Sequence, residues 1–538
     1  MLRTAIKRAR ETGSVDYDTI IIGSGFGGSI TACRLAEAGY RVLVLERGRR
    51  WNKSTYPRTA GDSWWWDPEH PEQRNGWIDL RLFRHIAVAQ GAAVGGGSLI
   101  YANISTLPHP EIFARGWPPE ITWEVLQPHY RRVAEVMAVQ QVPVGQWPPR
   151  MKLMQEAAGR IGAADRFSPL ELAVSFDPDL DVTKPETLIP AASKRFVNAQ
   201  GVEQGYCVHL GNCDIGCDVD ARNTLDRNYL ALAERHGAEV RPLHLVRGIE
   251  PIAGGYTVLF DRLDDGQRQP GTAAARLVIV AGGSLNSTEL LLRCRDVAKS
   301  LPDISPFLGR NWSSNGDFLT PAIYTERELT PWFGPTITSR IDFLDRSEAG
   351  QSFWIQDGGF PDILRDALQA ENSSHPGLAG MLDAIRNAVG SLGPLQRVMP
   401  WFAQGVDAAD GTLRMRRRWW IFGEQALDLD WDIAGSEALV DAIVAMHRRL
   451  SVATGGTAVV PPSWGLLKYL ITPHPLGGCG MGVTCEGGVV DHRGAVFGYP
   501  GLYVIDGAII PGALGVNPSR TIGALAERAA GLIVKEGA

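Results

Sequence analysis

The stretch "YDTIIIGSGFGGSITACRLAEAGYRVLVLERG", residues 17–48, decides the fold. Tyr17 to Ile22 is an apolar, β-branched run of the kind that forms a buried parallel strand. Gly23, Gly25 and Gly28 follow in G-x-G-x-x-G spacing, with Phe26 and Gly27 between them. A helical pattern then runs through Ala38, and Gly39 suits its C-cap. Arg41 to Leu45 is a second apolar strand, ending at Glu46 and Arg47. In such a unit the first glycine allows a tight turn, the second lets backbone approach a pyrophosphate, and the third lets helix and strand pack closely. The free N–H groups of the helix N-terminus favour the phosphates, and Glu46 stands where a carboxylate accepts from ribose hydroxyls. A lone glycine motif is weak evidence. With both strands, the helix and the acid in order, it predicts a dinucleotide-binding βαβ unit.

Three more glycine-rich passages are spread along the chain. They are "QGAAVGGGSLIYAN" (90–103), "LVIVAGGSLNSTELLLR" (277–293) and "GLYVIDGAIIPGALGVNPSRTIGALAERAA" (501–530). A nicotinamide cofactor needs one cradle. Four cradles predict a long cofactor held from several sides, as FAD would be. Near the C-terminus "ITPHPLGGCGMG" (471–482) sets His474 between two prolines, each with a fixed φ. That histidine is expected to be aimed, and the glycines after it to let backbone pass close to something flat.

The 538 residues are enough for two or three structural units. The net charge of −6 gives no basic face, so nucleic acid is not an expected partner. Cys207, Cys213 and Cys217 fit no zinc spacing and read as a structural loop, with one disulfide or a fortuitous metal site left open; no metal is expected. Trp64, Trp65 and Trp66, and later Trp419 and Trp420, suit core positions or the walls of an apolar pocket. "ALDLDWDI" alternates as a half-exposed strand does, and 361–400 reads as helices. The second of these, "GLAGMLDAIRNAVGSLGPLQ", suits a surface helix, a lid or a membrane-touching patch. No stretch is long and apolar enough for a transmembrane helix, and the N-terminus lacks a secretory apolar core. The expected location is cytoplasmic, with attachment to a membrane surface left open.

Taken together, "DTIIIGSGFGGSITACRLAEAGYRVLVLERG", "GAAVGGGSLIYAN", "NTLDRNYLALAERHGAEV", "VIVAGGSLNSTELLL", "HPLGGC" and the 501–530 passage resemble the glucose–methanol–choline (GMC) flavoprotein oxidoreductases. Within that family the chain is most similar to bacterial cholesterol oxidase-type members. The resemblance implies a mixed α/β fold: a Rossmann-like FAD domain from discontinuous segments and a substrate domain with an antiparallel sheet covered by helices. The expected boundaries are an N-terminal extension at 1–15, the FAD domain at 16–110, 205–317 and 470–538, and the substrate or cap domain at 111–204 and 318–469. The resemblance also implies hydride transfer from an alcohol carbon to flavin N5. His474 and Asn517 would face the substrate hydroxyl, and Gly95, Gly96, Gly97 and Ser98 would line the pyrophosphate and flavin-ring side. Asn103, Ala281, Gly282, Gly283 and Pro518 would also border the cofactor. Val246 would lie by the adenine, and Asp506 and Gly507 by the ribityl chain.

The chemistry of the residue types agrees. An imidazole can take the hydroxyl proton, and an amide can orient the oxygen without titrating. As a helix N-cap, Asn517 would instead be structural. Cholesterol oxidases that isomerise their product keep a glutamate in the sheet region; "SFWIQDGGFP" puts Gln356 there, beside Asp357. Both, with Tyr101, are substrate-side candidates, and isomerisation is expected to be weak or absent. The expected partners are a steroid-like alcohol and oxygen or another electron acceptor, with contact to a membrane surface open. Two other readings stay open: non-redox lyase, decarboxylase or isomerase chemistry on the same scaffold, and a non-catalytic flavin-binding protein.

Overall fold

The structure, a computed structural model, describes residues 15–59, 61–361, 394–417 and 425–537. The helices expected at 361–400, Trp419 and Trp420, and all but the last residue of the 1–15 extension lie outside the described residues.

Ile20, Ile21 and Val42 to Leu45 are buried in succession, because a parallel strand with both faces covered has no solvent side. Strand Tyr17–Ile22 sits in a seven-stranded sheet between Val42–Leu45 and the long strand Gln267–Val280, parallel to both. Glu239–Arg241 extends one edge in parallel. The long strand forks. Its first part pairs antiparallel with Gly255–Asp264, which pairs with His244–Ile252, and its last three residues pair in parallel with Leu502–Val504. Helix Phe26–Glu37 packs tightly on this sheet: a Cβ on Gly27 would lie 1.7 Å from the Ile505 carbonyl oxygen.

The second sheet has six strands, all antiparallel: Gly456–Ala458, Phe318–Tyr324, Val398–Gly405, Gln351–Asp357, Ser339–Glu348 and Phe167–Pro169, in that order. Helix Ala434–Ala453 covers one face, where Trp401 Nε1 donates to Ser451 Oγ at 2.9 Å. Because side chains alternate, the opposite face carries Trp354, Gln356, Phe402 and Gln404, with Trp354 opposite Gln404 and Gln356 opposite Phe402. The expected half-exposed strand is present as Gln425–Asp430, with Leu427 and Leu429 buried and paired to Thr412–Arg417.

Candidate active site

A cavity of about 1350 Å³ runs from the first βαβ turn to the polar face of the second sheet. Pockets for small ligands usually measure roughly 300–1,000 Å³, so this one has room for a long cofactor and a substrate together. Gly23, Gly25, Phe26, Gly27, Glu46 and Arg47 line one end, with Val246 beside them. Gly96, Gly97, Ala281, Gly282 and Gly283 line the middle, followed by Asp506, Gly507, Asn517 and Pro518.

This wall fits FAD. A Cβ added at Gly25, Gly97 or Gly283 would meet no protein atom within 4 Å, so those faces are kept bare toward the cavity. No side chain caps helix Phe26–Glu37 at Gly25, which leaves its first N–H groups for phosphate. Two carboxylates brace the cradle. Glu46 accepts from the Ser24 N–H (3.0 Å), the Ser24 hydroxyl (2.6 Å) and the Gly48 N–H (2.9 Å). Asp506 accepts from the Gly283 N–H (2.8 Å), the Ala508 N–H (2.7 Å) and the Ser287 hydroxyl, and burial pushes its carboxyl up.

Four expected cofactor residues lie behind the wall. A Cβ on Gly28 would strike the Gly23 carbonyl oxygen at 2.0 Å, so that glycine serves helix–strand packing. At Gly95, φ is +100°, and a Cβ would strike Leu99. Ser98 donates to the Gly95 carbonyl (2.7 Å) and accepts from the Leu225 N–H (3.1 Å). Asn103 accepts from Arg222 Nε at 2.6 Å. Gly477 and Gly478 also differ from expectation: they face the Asn311 carbonyl and Thr288, so they make room for protein rather than for a flat ligand.

At the far end, His474 is clamped from three sides. Its Nδ1 lies 2.9 Å from both oxygens of the buried Asp317 carboxylate. Thr472 Oγ1 donates to Asp317 and accepts from the His474 backbone N–H at 2.9 Å. Gln404 Nε2 stands 2.9 Å from Nδ1 and 3.5 Å from Nε2, over the imidazole face and off the Nδ1–H axis, its orientation fixed because its Oε1 accepts from Trp354 Nε1–H, a donor only, at 2.9 Å. A carboxylate accepts only, so Nδ1 carries the proton and donates to Asp317. Nε2 then keeps its lone pair toward the cavity, 3.2 Å from Asn517 Nδ2. Asn517 Oδ1 accepts from Gln356 Nε2 at 2.8 Å. Asn517 is therefore no N-cap; helix Ser519–Glu536 begins after Pro518, and the Asn517 side chain points at His474.

Of the two remaining substrate-side candidates, Tyr101 lines the cavity and Asp357 does not. Asp357 follows Gln356 on one strand, so it points to the opposite face. There it accepts from the Thr338 N–H (2.9 Å) and the hydroxyls of Thr338 and Ser339, with Arg150 Nε at 3.9 Å. Tyr101 contributes its ring to the wall, but its hydroxyl donates to the Asn223 carbonyl at 3.1 Å, and burial pushes its phenol up.

Sequence reading missed Asp317, Gln404, Asn315 and Asp214. Asn315 Oδ1 accepts from the N–H groups of Leu514 and Gly515, both at 2.9 Å, so one short segment indexes both the His474 and Asn517 loops. An Asn-Gly-Asp triplet before a strand reads only as a turn. Asp214 lines the cavity, and burial pushes its carboxyl up to about 6. The thiols of Cys207, Cys213 and Cys217 are free, in keeping with a structural loop.

Two GMC oxidoreductase family models match the chain, an N-terminal one over residues 6–313 and a C-terminal one over 425–526. A cholesterol oxidase of Acinetobacter baumannii is 30% identical, with 96% of this chain and 94% of that protein covered. One of Mycobacterium tuberculosis (strain ATCC 25618 / H37Rv) is 32% identical, covering 97% and 92%. The long-chain-alcohol oxidase FAO4B of Arabidopsis thaliana is 23% identical, covering 96% and 67%. Among solved structures, pyridoxine 4-oxidase from Mesorbium loti superposes with a TM-score of 0.64 at 17% identity, covering 96% and 98%. A fungal aryl-alcohol oxidase superposes at 0.60 and 17% identity, covering 97% and 100%. The chain belongs to the GMC oxidoreductase family: it is an FAD-dependent flavoprotein oxidoreductase acting on CH–OH donors.

Proposed function

We propose that the protein oxidises a secondary hydroxyl of a bulky apolar alcohol of the steroid class to a ketone, with His474 taking the hydroxyl proton. The observation that carries this reading is the line Asp317–His474–Asn517 at the end of the cofactor cavity. FAD supplies the hydride acceptor when bound. His474 Nε2 faces the cavity as an acceptor because Asp317 holds the other ring nitrogen as a donor, and Asp317 balances the charge when Nε2 gains the proton. Asn517 and His474 together define where the substrate oxygen sits, which fixes the C–H bond that breaks.

The substrate class is supported by the wall and by the relatives. Ile104, Leu319, Ile337 and Phe402 line the cavity, as suits an apolar body rather than a sugar. The two relatives above 29% identity described here carry the name cholesterol oxidase. The oxidase names support oxygen as electron acceptor. Isomerisation of the product is not expected. Gln356 cannot act as a base, and Asp357 faces away from the cavity. Among the described residues no helix is long and apolar enough to cross a membrane. Leu82 and Leu319 line the cavity while 63% and 44% exposed, so its rim is apolar enough to meet a lipid surface. Co-flotation with lipid vesicles, reduced by Leu82→Asp, checks that contact.

The experiment that tests the function is anaerobic addition of 3β-hydroxysteroids, aryl alcohols, long-chain alcohols and sugars to the yellow holoenzyme. Bleaching of the flavin band by the steroids, and its return in air, is the expected result. Bleaching by another class alone would move the substrate assignment. A flavin that every alcohol leaves oxidised would favour non-redox chemistry. A product absorbing as a conjugated enone would overturn the absence of isomerisation and direct attention to Asp214.

A further inference from the structure

We propose that Gln356 is a positioning residue whose amide sets the polarity of the Asn517 amide at His474 and reverses it during turnover. The inference rests on His474 being the proton acceptor. Gln356 is fully buried on the cavity-facing side of its strand. Its Nε2 donates to Asn517 Oδ1 at 2.8 Å, while its Oε1 is buried with no hydrogen-bond partner. Such an orphan acceptor is uncommon and costly, and it calls for an explanation.

The chain of donors and acceptors supplies one. Before reaction, Asp317 requires a proton on His474 Nδ1, so Nε2 accepts and Asn517 must present its NH₂ there. Asn517 Oδ1 then faces Gln356, which must donate. Nε2 has one lone pair, so the Asn517 N–H must leave it as the substrate proton arrives; otherwise two donors confront each other across the 3.2 Å between Nε2 and Asn517 Nδ2. Rotation of the Asn517 amide brings its Oδ1 to the new N–H and turns its Nδ2 toward Gln356. Gln356 must now accept, and its unpartnered Oε1 is the group that can. A glutamine serves both states with one terminal amide; a carboxylate serves the second alone, and a methionine serves neither. The only charged group bonded to His474 among the described residues is Asp317. From the other elements around it, Gln404, Phe402, Asn517 and Thr472 are neutral. Asp214 and Asp506 carry carboxyls elsewhere on the cavity wall.

The test compares wild type, Gln356→Glu and Gln356→Met holoenzymes by ¹⁵N NMR of labelled histidine and by the pH dependence of kcat/KM. Wild-type His474 should show a proton on Nδ1 and a bare Nε2. In Gln356→Glu the carboxylate can only accept, so Asn517 Oδ1 is held toward His474. That should favour the imidazolium and move the acidic limb of kcat/KM upward by about one pH unit, a tenfold change in proton affinity. Gln356→Met should lower kcat several-fold with the limb unmoved. Unchanged flavin spectra and melting temperatures mark the variants as folded. Should Gln356→Glu fold poorly, Asn517→Asp, which also offers His474 only acceptors, must move the limb the same way. Identical tautomer, titration and pH limb in the carboxylate variant and wild type would overturn the proposal, as would a wild-type kcat in Gln356→Met. The NMR readout needs no turnover, so it separates failure of this inference from failure of the alcohol-oxidation reading.

Discussion

The two ends of the cavity are built by opposite means. The proposed cofactor end is made of what has been removed: Gly25, Gly97 and Gly283 leave bare backbone toward the cavity. The proposed catalytic end is made of what has been added: Asp317, Gln404 and Asn517, from three separate segments, converge on the His474 ring. The contrast teaches that binding and chemistry should fail independently. Glycine substitutions should cost cofactor or fold and spare the network, whereas network substitutions should cost rate and spare the yellow colour.

The largest effect is expected at Gly27. Even Gly27→Ala puts a methyl 1.7 Å from a carbonyl oxygen, so the helix must shift, and the melting temperature should fall by about 3 °C or more. Differential scanning calorimetry reads this directly; an unchanged melting temperature would show that the packing yields easily. Asp317→Asn tests the other end. It removes the charge-assisted bond that holds the imidazolium, worth about 1.5–3 kcal/mol, so flavin reduction should slow about 10- to 100-fold with flavin content unchanged. Gly25→Ala sharpens the comparison, because its methyl meets no protein atom and the φ of −71° suits alanine. It should melt like the wild-type apoprotein yet bind FAD about tenfold or more weakly. If both properties held at wild-type values, that face would not touch the cofactor.

The smallest effect concerns Asp214, where the cavity carries charge. Its folded-state carboxyl, raised to about 6, holds a proton that the unfolded chain loses near its ordinary value of 3.8. Wild type should therefore lose stability relative to Asp214→Asn as pH rises from about 4 through 6, with a constant difference above. Over the same window KM for an apolar alcohol should rise a few-fold in wild type alone. Parallel thermal melts across pH that show no divergence would remove Asp214 from the account.

The same contrast governs what could be read from the sequence. The βαβ unit was legible because its strands, glycines and acid are contiguous and local spacing enforces their geometry. His474 was legible because flanking prolines mark it within a short motif. Asp317 and Gln404 were not, since an ordinary aspartate before a strand and a glutamine within one acquire meaning only through pairing of distant strands. Asp357 shows the converse error: adjacency in sequence to Gln356 suggested a shared site, but strand alternation places the two on opposite faces. The paired glycines Gly477 and Gly478 were legible as a demand for close approach, though what approaches is the protein's own backbone and Thr288.

The most direct test of the central claim is the rate of anaerobic flavin bleaching by a 3β-hydroxysteroid, followed by stopped flow in wild type and His474→Ala across pH. Loss of a positioned proton acceptor should slow bleaching by about 10²–10⁴-fold, flatten its pH dependence and leave the bound-flavin spectrum intact. A His474→Ala enzyme that bleaches at the wild-type rate would contradict the assignment of proton transfer to His474.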